Sequence, residues 1–217
     1  MLPALIKPML AQKGPEPFDS AEHCFEIKWD GVRCLAFVEA GRVRLQSRQL
    51  LDITPQFPEL TVLKELPSGT VLDGELVVLE HGKPLLSKIL ERAQLTSHHR
   101  IESLSRQMPA YFVVFDLLYR KGRSLMDWPL RDRRKALKDL SASLPASSMA
   151  ISEAVEVKGK ALFEAVAQAG LEGVMAKRWD SPYRAGKRAS AWLKIKVASL
   201  LPRRRSFRLF RTHDVED

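Results

Sequence analysis

The run Glu26-Ile27-Lys28-Trp29-Asp30-Gly31-Val32-Arg33 carries the residue types of a covalent lysine site. A lysine amine can form a bond to phosphorus, and an arginine close by suits an anionic, phosphate-bearing substrate. Apolar residues on both sides read as strand, with residues 24–29 and 32–38 set around an Asp-Gly turn. Alternation along a strand puts Glu26 and Lys28 on one face and Ile27 and Trp29 on the other. Gly31 lets the chain turn tightly beside whatever the lysine attacks. The same string also fits a surface hairpin with an Asp-Gly turn, so its weight comes from its company.

That company follows in order: Ser47-Arg48, Leu72-Asp73-Gly74-Glu75-Leu76, Phe115-Asp116-Leu117-Leu118, Glu172-Gly173-Val174-Met175-Ala176-Lys177 and Trp192-Leu193-Lys194-Ile195-Lys196. Asp73 and Glu75 share a strand face, and a hard cation such as Mg²⁺ takes carboxylate oxygens while keeping several waters. Trp192, Lys194 and Lys196 also share a face, so both amines can reach one phosphate group. Alone, such lysines would read as a solvated strand edge.

The ordered set resembles the covalent nucleotidyltransferases: ATP-dependent DNA ligases, RNA ligases and mRNA capping enzymes. Within that group it is most similar to an ATP-dependent DNA ligase of bacterial type, the ligase module of multifunctional end-joining ligases. Lys28-Trp29-Asp30-Gly31-Val32-Arg33, Phe115-Asp116-Leu117-Leu118-Tyr119 and Ser181-Pro182-Tyr183-Arg184-Ala185-Gly186-Lys187-Arg188 carry that likeness, as do Gly122-Arg123-Ser124-Leu125 and the basic run from Arg131 to Arg134. The resemblance implies an α+β, ATP-grasp-like adenylation domain over residues 1–198, with the nucleotide pocket between antiparallel sheets.

It also implies roles. Lys28 would attack the α-phosphate of ATP and carry AMP, which then passes to a DNA 5′-phosphate at a nick before the 3′-hydroxyl displaces it. A lysine near its ordinary pKa of ~10.4 needs neighbouring cations to free its amine, and Lys194 and Lys196 fit that role. Glu26 matches the reader of the adenine amino group, favouring ATP over GTP. Phe115 matches the aromatic that stacks on the base, with Ile27, Val174 and Met175 lining its pocket. Arg33 and Arg48 match ribose and phosphate contacts. Glu75 and Glu172, with Asp73, match the carboxylates near ribose and a Mg²⁺ or Mn²⁺ ion. Arg184, Lys187 and Arg188, and the basic helix face at Arg131, Arg133 and Arg134, would track the backbone of nicked duplex DNA.

Ligases of this kind continue into an OB-fold barrel. The 21 residues after Lys196 are too few for one, so 199–217 reads as a basic tail. The partner this implies is a separate OB-fold or end-joining repair protein. Two other readings compete: an RNA ligase or capping-type nucleotidyltransferase, and a non-catalytic module that binds nucleic acid or a repair partner.

The remaining sequence sets the frame. The net charge of +9 over 217 residues points to a polyanion, nucleic acid before an acidic membrane. No apolar run approaches the roughly 20 residues of a membrane span. The start is too short and too proline-cut for a signal peptide, so a bacterial cytosolic protein is expected. Cys24 and Cys34 fall in apolar strands and read as buried free thiols. The first 23 residues read as irregular, and His98 and His99 as surface loop. Helices are expected at Phe57 to Leu66, Leu85 to Leu95, Leu130 to Leu140 and Lys160 to Ala169. Further strands are expected at Arg42 to Gln46, Val71 to Leu79, Ala110 to Tyr119, Met149 to Ala154, Gly173 to Lys177 and Trp192 to Val197.

Overall fold

The computed structural model describes residues 1–140 and 148–197; the basic tail expected at 199–217 lies outside the described residues. In chain order the strands and helices are β1 (Leu10–Lys13), β2 (Ser20–Ile27), β3 (Val32–Glu39), β4 (Arg42–Ser47), β5 (Thr70–Val77), β6 (Leu79–Glu80), β7 (Lys83–Pro84), α1 (Leu86–Ala93) and α2 (His98–Gln107). Then come β8 (Tyr111–Arg120), β9 (Arg123–Ser124), α3 (Leu130–Leu140), β10 (Met149–Ile151), β11 (Val155–Val157), α4 (Gly159–Gln168), β12 (Gly173–Arg178) and β13 (Arg188–Lys196).

Two main sheets face each other. One runs β1-β13-β12-β2-β11 and the other β10-β8-β5-β3-β4, with β9 on the edge of β8. Most pairings are antiparallel, as expected for this α+β class; β1–β13 and β10–β8 are parallel. Strand alternation explains how the layers bury themselves. On β3, Cys34, Ala36 and Val38 join a core packed under α1, α3 and the 3₁₀ turns of Pro58–Glu65. Leu35 and Phe37 point the other way, into a second cluster with Phe115, Leu118, Tyr183 and Trp192 that lies between the sheets. A third cluster, Phe25, Val174, Ala176 and Val166, seals α4 onto the outer face of the first sheet.

The two strands around Asp30-Gly31 do not form a hairpin. β2 pairs with β11 and β12, whereas β3 pairs with β4 and β5. Residues 28–31 therefore cross from one sheet to the other, and Lys28 stands where the chain spans the gap. Gly31 is required by close approach: a Cβ there would sit 2.1 Å from the Leu76 carbonyl oxygen.

Other expectations shift at short elements. β1 and the first part of β2 occupy the stretch read as irregular, because their partners lie far away in sequence. His98 opens a helix, α2, which buries little beyond Ile101 and so has a weak apolar signal. Phe57 to Leu66 is helical but of the 3₁₀ type. Both cysteines are free and buried, and burial pushes the Cys24 thiol up to about 12. No helix among the described residues is long and apolar enough to cross a membrane.

Candidate active site

A cavity of about 190 Å³ opens between the two sheets, and the lysine-bearing crossover forms part of its wall. Glu26, Ile27, Lys28, Arg33, Arg48, Glu75, Phe115, Met175 and Lys194 all line it. These residues come from β2, β3, the residue after β4, β5, β8, β12 and β13, so the fold gathers motifs spread over most of the chain.

At one part of the cavity stands an ion cluster. The Lys28 Nζ donates to Glu172 Oε2, and Lys196 Nζ lies 2.5 Å from Glu172 Oε1. Burial alone would raise the Glu172 carboxyl, but hydrogen bonds from Lys196 and Lys28 outweigh it and hold the group below the usual carboxylate range. The backbone positions the lysine too: Lys28 N–H donates to the Gly173 carbonyl at 2.8 Å. Gly173 has φ +156°, and a Cβ there would sit 2.1 Å from the Ile195 carbonyl oxygen. Burial, then repulsion from Arg188, Lys196, Lys28 and Arg48, lowers the Lys194 ammonium from its ordinary value. Asp30 lies beside Glu172, and burial followed by repulsion from Glu172 raises its carboxyl. The result is a dense set of cations, suited to a polyphosphate, around one lysine amine held by a carboxylate.

Deeper in, Glu26 is fully buried. Its Oε1 accepts from Arg134 Nη1 at 2.8 Å and from Lys177 Nζ at 3.0 Å, and its Oε2 accepts from Lys177 at 3.1 Å. The Lys177 ammonium lies 4.1 Å from the Phe115 ring centre and 4.6 Å from that of Trp192. Such a buried cation is matched by one carboxylate and two aromatic rings. Phe115 and Trp192 meet edge to face, 6.1 Å between ring centres. Trp29 donates from Nε1 to Ser152 Oγ at 3.2 Å, bracing the residue next to Lys28.

On the opposite wall Arg33 grips Asp73 with two bonds, Nε to Oδ1 at 2.6 Å and Nη2 to Oδ2 at 2.7 Å. The Tyr183 hydroxyl donates to the same Oδ2 at 2.6 Å, and the Met9 amide donates to that hydroxyl at 2.9 Å. Arg33 also stands 4.5 Å from the Phe115 ring centre. Glu75 is partly buried next to this pair. Burial pushes its carboxyl up to about 7, against the opposing pull of Arg33 and Lys28.

Several expected roles change with these contacts. Asp73, expected near a metal, is fully buried with both oxygens engaged by Arg33 and Tyr183, behind the residues that line the cavity. Val174 faces α4, away from the cavity, because alternation on β12 sends Met175 and Lys177 inward and Val174 and Ala176 outward. Arg133 and Arg134 do not form an exposed basic face. Arg133 pairs with Asp116 at 2.8 Å through both oxygens, and Arg134 reaches Glu26. Arg188 lines the cavity beside Lys194, while Arg184 and Lys187 are exposed nearby. Lys177 was missed although it sits two residues past Met175 and shares its face. Arg134 had no sequence signal, since a helix arginine looks the same whether it faces solvent or core.

Among the described residues no three His, Cys, Asp or Glu side chains group closely enough to hold a metal unaided. Mg²⁺ needs no such cage when it arrives with substrate phosphates, since one or two carboxylates then suffice.

Comparison with known proteins agrees with this arrangement. Residues 8–196 match the family described as ATP dependent DNA ligase domain. The SPbeta prophage-derived DNA ligase-like protein LigB of Bacillus subtilis is 32% identical over 193 residues, covering 88% of this chain and 67% of its own length. The multifunctional non-homologous end joining DNA repair protein LigD of Mycobacterium tuberculosis is 38% identical over 195 residues, again 88% of this chain but 24% of its own length. The chain thus spans about a quarter of those end-joining proteins. The crystal structure of the ligase domain from M. tuberculosis LigD superposes with a TM-score of 0.75 at 36% identity, covering 88% of this chain and 59% of that one. A mycobacterial DNA ligase D complexed with ATP and MES gives 0.72 at 35% identity, with 88% and 60% covered. With the matched region enclosing every motif around the cavity, the chain belongs to the ATP-dependent DNA ligase domain family.

Proposed function

We propose that this chain is the adenylation domain of an ATP-dependent, end-joining-type DNA ligase and that its cavity carries out nucleotidyl transfer. The observation that carries the reading is the Lys28 amine on Glu172, beside Lys196 and Lys194, at a cavity whose far part holds Glu26 and Phe115. In the first step the Lys28 nitrogen bonds to the α-phosphorus of ATP, the bond to pyrophosphate breaks, and the amine gives up a proton. Lys194, Lys196, Arg48 and Arg188 offset charge gathering on the phosphate oxygens. Glu172 orients the Lys28 amine. Glu26 reads the adenine amino group, with Ile27 and Met175 lining the base pocket and Phe115 against the base. Arg33 fixes the wall beside the ribose. A Mg²⁺ or Mn²⁺ ion entering with ATP would be held by Glu75 and Glu172 and would screen the phosphate charge.

In the second step a DNA 5′-phosphate oxygen bonds to the AMP phosphorus and the bond to Lys28 breaks. In the third, the 3′-hydroxyl attacks the DNA phosphate and AMP leaves. Arg184 and Lys187 are exposed for contact with the phosphate backbone, which sets position without reading sequence. We assign residues 1–198 to this domain, and an OB-fold or end-joining repair protein to closing the clamp on duplex DNA.

The test uses a nicked duplex with a labelled 5′-phosphate, with ATP and Mg²⁺, beside the same duplex already adenylated at the nick. The parent should form adenylated or sealed DNA from the first substrate. Lys28→Ala should fail on the first yet still seal the second. A parent that acts on neither substrate would overturn the reading.

A further inference from the structure

Arg134 stands behind the nucleotide cavity and does not line it. It comes from α3, is almost wholly buried, and spends its fork on three partners that belong to different parts of the fold. Its Nη1 donates to Glu26 Oε1 at 2.8 Å and to the Phe115 carbonyl at 3.2 Å, and its Nη2 donates to the Ser152 carbonyl at 2.7 Å. Glu26 lies on β2 in one sheet; Phe115 lies on β8 in the other; Ser152 follows β10, which pairs with β8. One guanidinium therefore pins the two sheets together at the back of the base pocket. It holds the carboxylate facing the base at a fixed distance from the strand that bears the Phe115 ring. The planar fork spreads its donors over separate nitrogens in a fixed plane, whereas a lysine ammonium has its three N–H groups on one nitrogen at the end of a flexible stem.

We infer that Arg134 is the positioning residue for nucleobase selection: by anchoring Glu26 and the Phe115 strand together, it makes the pocket prefer adenine to guanine without touching the nucleotide. This inference rests on the proposed reading of the cavity as an ATP site. An ionised carboxylate can only accept hydrogen bonds. Adenine offers it an amino donor at the position where guanine offers a carbonyl acceptor. Selection by that difference requires a carboxylate that cannot swing away or rotate to present a different edge. Lys177 holds both oxygens from one side, but it is itself cradled by Phe115 and Trp192. Among the described residues, Arg134 is the side chain that hydrogen-bonds both Glu26 and the backbone of the second sheet.

The experiment measures equilibrium dissociation constants for ATP and GTP with the full chain, in the parent and in Arg134→Lys, Arg134→Gln, Glu26→Gln and the double variant E26Q/R134Q. Thermal unfolding of each is recorded in parallel. The ATP preference should fall roughly tenfold or more in Arg134→Gln, as expected for losing a charged hydrogen bond that fixes the reader. Arg134→Lys should fall between the parent and Arg134→Gln. In the Glu26→Gln background, Arg134→Gln should leave the ratio unchanged, because the reader it positions is already gone. A lowered melting temperature with an unchanged ATP to GTP ratio would overturn the inference and leave Arg134 a structural tie only. If Arg134→Gln does not fold, Arg134→Lys decides: a reduced ratio supports the inference and the parental ratio refutes it. Covalent labelling with ATP is followed separately. Its failure in the parent counts against the proposed function, whereas an unchanged binding ratio counts against Arg134 alone.

Discussion

Asp73→Asn separates a wall residue from a metal ligand. In the parent, Asp73 accepts two charge-assisted bonds from Arg33, at 2.6 and 2.7 Å, and a third from the Tyr183 hydroxyl at 2.6 Å, with no exposed surface. Asparagine keeps one acceptor oxygen and turns an NH₂ group toward either the guanidinium or the phenol. Arg33 is then left in the cavity wall with half its partner gone. Breaking a buried pair from one side typically costs about 3–5 kcal/mol. Against a total of about 5–15 kcal/mol for an ordinary domain, that is a large share. For a chain of this size it corresponds to a fall in melting temperature of roughly 6–20 °C. Urea and thermal unfolding of the parent and Asp73→Asn, without metal, give the number directly. A second variant, R33M/D73N, should lose less than the sum of the single losses, since no unpaired cation remains. The Mg²⁺ concentration needed for half-maximal ATP labelling should stay at the parental value in whatever fraction of Asp73→Asn is folded. Stability within about 1 kcal/mol of the parent, together with a raised Mg²⁺ requirement, would refute this assignment and restore Asp73 to the metal set.

Gly31→Ala should displace the crossover that carries Lys28, because the added Cβ meets the Leu76 carbonyl at 2.1 Å. The expected cost is about 1–3 kcal/mol, with labelling lost and the circular dichroism of the parent retained; normal labelling would contradict it. Glu75 gives a pH signature. Its carboxyl is pushed up to about 7, so between roughly pH 5 and 7 the folded chain keeps a proton that the unfolded chain has released. Its contribution to stability is therefore present at low pH and lost as pH rises through 7. Glu75→Gln should flatten the decline between pH 5 and 8 in urea titrations, and an identical decline in the variant would reject the assignment. Arg188→Ala should weaken ATP binding roughly tenfold, as for loss of a charged contact. Arg184→Ala should leave ATP binding unchanged and reduce the salt dependence of DNA binding by about one phosphate contact; the reverse pattern in filter binding would exchange their roles.

Legibility in the sequence followed the range of the interactions involved. Strand alternation is local, and it correctly grouped Asp73 with Glu75 and Trp192 with Lys194 on faces that look into the cavity or its wall. The same rule, applied to β12, separates Val174 from Met175 and adds Lys177, so that error was avoidable. The crossover between sheets at Asp30-Gly31 was not readable in this way. Which strand pairs with β2 is decided by β12, about 150 residues further on, and a turn motif carries no record of it. The short strands β1 and β11 depend on equally distant partners. The basic helix face failed for a related reason: Arg134 finds its acid 108 residues away, and nothing in α3 itself marks that arginine as buried. α3 is nonetheless helical over the expected Leu130–Leu140, since an amphipathic helix reports its own periodicity.

The most direct test of the account is covalent labelling of the purified chain with α-labelled ATP and Mg²⁺ or Mn²⁺, resolved on a denaturing gel and mapped by peptide mass spectrometry, beside Lys28→Ala. The account predicts an acid-labile, amine-linked AMP on the peptide that contains Lys28, and no label on the variant. A folded parent that binds ATP yet carries no label, or carries it on another residue, would contradict the assignment of Lys28 as the nucleophile.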